Sequence, residues 1–152
     1  MRIRLLCVGR LKRGPERDLV DDYISRAQKT GKPLGYRGVE EIEIQSSSVR
    51  EEGERLLAKH VGGPLVRLDE TGQPWTSVVL SRRLARWRDG GEASVSFVIG
   101  GADGTSQAIA ERAVATLGFG PQTWPHMLVR VMLAEQIYRA LSIEAGSPYH
   151  RA

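Results

Sequence analysis

One cysteine, Cys7, stands alone in the 152 residues, so no internal disulfide can form. No apolar run approaches the roughly 18 residues that a membrane span needs. The opening segment Met1-Arg2-Ile3-Arg4-Leu5-Leu6 lacks the long apolar stretch and small-residue cleavage site of a signal peptide. These absences together point to a reducing cytoplasm. Internal repeats, low-complexity stretches and long linkers are also missing. A single domain over residues 1–152, with one sizeable core, is therefore expected.

What is present is an ordinary globular composition, 41% hydrophobic and 26% charged, with a net charge of +4. The charge is unevenly spread. Residues 1–37 hold ten Arg or Lys against four Asp or Glu, and residues 40–54 hold six Glu against one Arg. A basic N-terminal third suits a polyanion such as RNA, although a solvated basic surface has the same composition.

Apolar runs alternate with helical patterns along the chain. Ile3–Val8 reads as a strand ended by Gly9. Pro15 opens a helix in which Leu19, Tyr23 and Ala27 recur at four-residue spacing. Val39–Ile44 alternates like a half-exposed strand. Ser48 and Glu51 form a capping-box pattern before a helix carrying Leu56, Leu57 and Val61. Leu65–Leu68 is a short strand. Thr76 or Ser77 caps a helix with Leu80, Leu84 and Trp87 inward, ended by Gly90 and Gly91. Val95–Ile99 is a buried strand. Thr105 or Ser106 caps a helix to about Ala115, and a last strand lies near Thr116–Phe119. Pro125 fits the first turn of a long helix reaching about Ala145. Five such units predict an α/β fold with a mainly parallel sheet flanked by helices. Ligands in such sheets bind beyond the carboxyl ends of the strands. That rule selects the loops Gly9–Gly14, Asp69–Gly72, Gly100–Gly104 and Gly120–Trp124.

Four segments stand out chemically. In Gly100-Gly101-Ala102-Asp103-Gly104, three glycines follow a buried strand. They either let a ligand approach the backbone, with Asp103 supporting the turn or binding a ligand hydroxyl, or make a tight connection only. No Lys follows them, and the spacing is not G-x-G-x-x-G, so neither a phosphate loop nor a dinucleotide fingerprint is present. Phe119-Gly120-Pro121-Gln122-Thr123-Trp124 is a stiff loop with flat apolar surfaces, suited to sandwiching an adenine ring or serving as a rigid crossover. The helix Met127–Ala140 is apolar nearly all round in its first two turns, which asks for cover on more than one side, by a second subunit or by the core. Within it, Glu135 and Arg139 stand four apart. The tail Pro148-Tyr149-His150-Arg151 offers groups that stack on bases or hold phosphate, or else a frayed end.

In this order the segments carry a resemblance. Phe97–Gly104, Pro125–Val131, Glu135–Ala140 and Pro148–Arg151, together with the start Val8-Gly9-Arg10-Leu11-Lys12, resemble the large-subunit ribosomal RNA pseudouridine N3-methyltransferases of the SPOUT (α/β-knot) superfamily. The segment Leu117–Gln122 departs from the family pattern in carrying a proline. The resemblance implies a SPOUT-type α/β knot with a C-terminal trefoil knot, an exception to the un-knotted rule. It implies a homodimer that buries the last helix, S-adenosyl-L-methionine as cofactor, and ribosomal RNA as substrate, with no metal. By position, the cofactor contacts would be Leu68, Gly100, Gly101, Phe119, Gly120, Pro121, Gln122, Thr123 and Trp124, with His126 holding the cofactor loop. His150 is the first candidate for a base at N3, or for orienting the nucleobase. Tyr149 would stack, and Arg139 or Arg151 would hold phosphate. Arg10, Lys12 and Arg13 are candidates to contact RNA, with the loop and tail of one subunit reaching the cofactor of the other. Rival readings are a non-catalytic ribosome-binding factor, a SPOUT enzyme acting on tRNA, and a flavodoxin-like small-molecule protein.

Overall fold

Strand side chains alternate between the two faces of a sheet, and β1 (Arg2–Val8) does so with apolar residues on both. Ile3, Leu5 and Cys7 enter one core cluster, and Leu6 and Val8 the other. All six residues of β4 (Ser94–Ile99) are buried. Strands covered on both faces belong in the middle of a parallel sheet sandwiched by helices. The computed structural model, which describes residues 1–151, has that arrangement. Its other strands are β2 (Gly38–Ile44), β3 (Leu65–Gln73) and β5 (Ala115–Leu117), and the five run in the order β2-β1-β4-β3-β5 with every pairing parallel. The edges are β2 and β5, with β3 between β4 and β5. Ala152, the last residue of the expected domain, lies outside the described residues.

The helices α1 (Pro15–Gly31), α3 (Ser77–Asp89) and α5 (His126–Ala145) pack on one face, supplying Ala27, Leu80, Leu84, Leu133 and Ile137 to its core. The helices α2 (Val49–Lys59) and α4 (Gln107–Arg112) cover the other with Leu56 and Ile109. Ser48, Thr76 and Ser106 are the N-caps of α2, α3 and α4, each side chain accepting from the backbone N–H three residues on. Such a cap contributes about 1 kcal/mol. Of the capping box only half forms, because the Glu51 carboxylate takes the Ser48 hydroxyl.

Several boundaries differ from the sequence reading. The helix α4 stops at Arg112, not near Ala115, because Ala115–Leu117 must extend to pair with β3. The strand β3 continues to Gln73, which pairs with Leu117 after a bulge. Pro125 is the N-cap of α5 rather than a first-turn residue, and Val61 lies beyond α2, exposed. On α1 the buried stripe is Val20, Ala27 and Gly31, while Leu19 is 44% exposed. The contact with α5 sets this face, since a Cβ on Gly31 would come within 3.0 Å of Leu141.

Candidate functional site

The ends of β3, β4 and β5, at Leu68, Ile99 and Leu117, open into a hollow of about 380 Å3. That size suits a small-molecule site, and the place obeys the rule that ligands sit beyond the carboxyl ends of parallel strands. Its floor is the glycine loop, closed by the Gly101–Gly104 bridge. A Cβ on Gly100 would fall 2.6 Å from the Gly104 carbonyl oxygen and 2.9 Å from Thr105. Its wall is the loop from Phe119 to Trp124. Trp124 Nε1–H donates to the Phe119 carbonyl at 3.2 Å, and Thr123 Oγ1 donates to Glu70 at 2.6 Å, tying wall to strand extension. Gly72 and Gly118 let those two backbones touch; a Cβ on Gly72 would meet the Gly118 nitrogen at 2.7 Å.

Leu68, Ile99, Leu117, Phe119, Trp124 and Val129 make the lining largely apolar, and its charged groups are the carboxylates of Asp69, Glu70 and Asp103. Among the described residues no Lys or Arg lines it. Burial acts to raise the Asp69 carboxyl, but the hydrogen bonds from the Thr71 hydroxyl and N–H outweigh it, so Asp69 titrates below its ordinary value. The hollow therefore favours a flat apolar body with a cationic end and opposes a phosphate.

Beyond the end of the neighbouring strand β1, the loop 9–14 borders a second hollow of about 670 Å3, lined by Arg10, Lys12, Arg13, Arg17, Asp21 and Glu43 among others. Beneath it lies an ion network. Arg130 of α5 is 1% exposed, and its guanidinium donates to Glu41 at 2.7 Å and Glu43 at 2.5 Å. It also donates to the carbonyls of Val8 and Gly9 at 3.3 and 3.0 Å. Arg17 donates to both oxygens of Glu41. Burial acts to raise the Glu41 carboxyl; the hydrogen bonds from Arg17 and Arg130 prevail and hold it below its ordinary value. Burial pushes the Cys7 thiol up to about 12, so it stays protonated and inert.

The tail turns back onto α5 of its own chain. The Tyr149 hydroxyl donates to Glu135 at 2.9 Å, and its ring lies 4.4 Å from that of Tyr138. Arg139 donates to the same carboxylate and lies over the Tyr149 ring. The His150 Nδ1 atom is buried without a partner among the described residues.

Residues 1–150 match the family described as "Predicted SPOUT methyltransferase". The chain belongs to that family. Among SPOUT relatives, the ribosomal RNA large subunit methyltransferase H of Hyphomonas neptunium is 54% identical over the full length of both chains, and that of Xanthobacter autotrophicus is 49% identical, again over both. A Legionella pneumophila protein, described as a methyltransferase and solved with S-adenosylmethionine bound, shares the fold at a TM-score of 0.51 and 12% identity. The match covers 95% of this chain and 66% of that one.

Within this SPOUT fold, eight positions that the resemblance assigned to the cofactor line the first hollow together: Leu68, Gly100, Gly101, Phe119, Gly120, Gln122, Thr123 and Trp124. Pro121 is exposed on the wall loop and is not in the lining. His126 and Asp103 do line it. Asp69 and Glu70, from the loop 69–72 selected as ligand-facing, line it too, whereas Val129 was not foreseen there. Arg10, Lys12 and Arg13 gather at the second hollow. Arg139 and Tyr149 meet at Glu135 of α5, with His150 and Arg151 next in the chain, and none of these four lines the first hollow. Arg130 was missed altogether. An arginine inside an otherwise apolar helix requires carboxylate partners, and the i, i+2 pair Glu41 and Glu43 supplies them.

Proposed function

We propose that the chain transfers a methyl group from S-adenosylmethionine to N3 of a pseudouridine in a stem-loop of large-subunit ribosomal RNA, acting in the cytoplasm as a homodimer of single-domain subunits. The observation that carries this reading is the phosphate-averse, glycine-floored hollow, found in a chain 54% identical throughout to a protein named for large-subunit ribosomal RNA methylation. The hollow fits the cofactor: apolar walls for a flat ring, backbone groups at Gly100–Gly104 and Phe119–Trp124 for its edge, and carboxylates for its cationic groups.

When bound, the cofactor supplies a methyl group already activated on a cationic sulfur, which leaves the protein the work of positioning. Leu68, Ile99 and Phe119 exclude water from the floor of the hollow. Asp69 stays anionic and favours a cationic occupant over a neutral one. His150, whose Nδ1 lacks a partner among the described residues, is the first candidate to accept the N3 proton or to orient the base, with water as the alternative acceptor. Arg10, Lys12, Arg13 and Arg151 are assigned to phosphate, Arg139 and Tyr149 to seating the tail and the base. Arg139, Tyr149, His150 and Arg151 lie outside the lining of the first hollow, which supports a site completed by the partner subunit's tail. The trefoil passage of the last segment belongs to the same reading.

Incubation of the purified chain with methyl-labelled cofactor and, separately, assembled ribosomes, free large subunits and tRNA tests the proposal. Label in large-subunit RNA is the expected result. Label in tRNA alone would make the chain a tRNA enzyme, and absence of cofactor binding by calorimetry would make it a ribosome-binding factor.

A further inference from the structure

The Arg130 network has a feature that packing alone does not require. Buried ion pairs can often be replaced by apolar residues of similar volume without loss of stability, so their presence calls for a reason beyond stability. Here every member grips the backbone of one loop or another member. Arg130 holds the Gly9 carbonyl, Glu43 accepts from the Leu11 N–H at 2.6 Å, and Arg17 Nε donates to the Leu11 carbonyl at 3.0 Å. The Leu11 side chain is buried, so the loop is fixed at both polar groups and the side chain of its central residue. On either side of that residue, Arg10, Lys12 and Arg13 are exposed, and among the described residues they make no ion pair or side-chain hydrogen bond. Three free cations are thus carried on an immobilised backbone.

The same helix turn also reaches the cofactor hollow. His126 and Val129 line it, and Arg130 is the next residue. The sheet links the two places a second time, since Cys7 of β1 pairs with Ile99 of β4 and a Cβ on Gly101 would lie 3.2 Å from Val8. We infer that Arg130, with Glu41, Glu43 and Arg17, is a positioning device that sets the cationic loop Arg10–Arg13 in fixed register with the cofactor hollow, so that RNA phosphates held by the loop place the target base. This rests on the methylation reading. Arg130 and Arg17 touch neither RNA nor cofactor; they act through the loop.

Two charge-conserving variants test it. Arg17→Lys on the partly exposed helix α1 keeps the charge but cannot hold Leu11 and both carboxylates at once, and Arg130→Lys removes the fork under Gly9. If Arg130→Lys fails to fold, Arg17→Lys decides. The calibrating variant replaces Arg10, Lys12 and Arg13 together by alanine. Methyl transfer to ribosomes is measured across a salt series, with cofactor binding by calorimetry. In the lysine variants, kcat/KM for RNA is expected to fall about tenfold, with kcat contributing because the base is misplaced. Cofactor affinity should stay within twofold, and the salt slope should not change because the cations remain. The triple variant should instead lose about 2 from the slope, at about 0.7 per phosphate contact on single strands. Unchanged RNA turnover in Arg17→Lys, or cofactor affinity falling as far as RNA turnover, would overturn the inference while leaving the methylation reading intact. A wild-type chain that methylates no RNA would overturn both.

Discussion

Replacing Gly100 by alanine adds one carbon where the structure has no room for it. That Cβ would lie 2.6 Å from the Gly104 oxygen and 2.7 Å from the Gly104 carbonyl carbon, both backbone atoms that no rotamer change can move. Ordinary contact requires the loop to open by roughly 0.8 Å, and overpacking of this kind costs about 1–3 kcal/mol. The Gly101–Gly104 bridge closes the floor of the hollow, so the cost falls on the shape of the proposed cofactor site. At about 1.4 kcal/mol per tenfold, S-adenosylmethionine should bind about 5- to 150-fold more weakly. The melting temperature should fall by about 2–4 °C per kcal/mol for a chain of this size. Gly104→Ala is the control: its Cβ meets nothing within 4 Å, but φ is +80°, so its cost is the ~1–2 kcal/mol of a left-handed L-residue. Titration calorimetry and a thermal melt read both quantities. If Gly100→Ala binds the cofactor within twofold of wild type, the glycine loop is not the floor of the site.

Leu133 is wholly buried between α5 and the sheet, so Leu133→Ala should cost about 2–5 kcal/mol in urea unfolding; a loss below 1 kcal/mol would mean that the core is packed differently. His60 is depressed first by burial and then by the positive charge of Arg112, whose guanidinium faces Nε2 while Nδ1 meets the Ser96 hydroxyl. The unfolded chain takes up the proton more readily, so this contribution is complete above the ordinary histidine value of 6.5 and is lost as pH falls through it. Unfolding measured from pH 7.5 to 5 should show that decline, and His60→Gln should flatten it. In a mixed dimer, one subunit carries Gly100→Ala and the other His150→Ala. Activity at one restored site is expected if tails are exchanged, and complete inactivity would confine each site to one chain.

The sheet was legible because its signal is local. The near-continuous apolar runs Ile3–Val8 and Val95–Ile99 mark strands covered on both faces, and glycine loops follow them directly in the chain. The face of α1 was not legible, because the Leu19, Tyr23, Ala27 spacing is as regular as that of the true stripe, and only the close approach of Gly31 to Leu141 decides between them. The loop 69–72 was legible as ligand-facing, but its place within β3 was not, because that depends on Gln73 rejoining Leu117 across a bulge. The Arg130 network joins residues up to 122 positions apart, at the bond to the Val8 carbonyl. Glu41 and Glu43 look like the wet face of a strand until α5 is laid against them.

The most direct test of the central claim is mass spectrometry of ribosomal RNA from cells lacking the gene for this chain. The account predicts loss of one methyl group from a pseudouridine of the large-subunit RNA, restored by the wild-type gene and less fully by Gly100→Ala. Large-subunit RNA unchanged by the deletion, or a methyl group lost from tRNA instead, would contradict it.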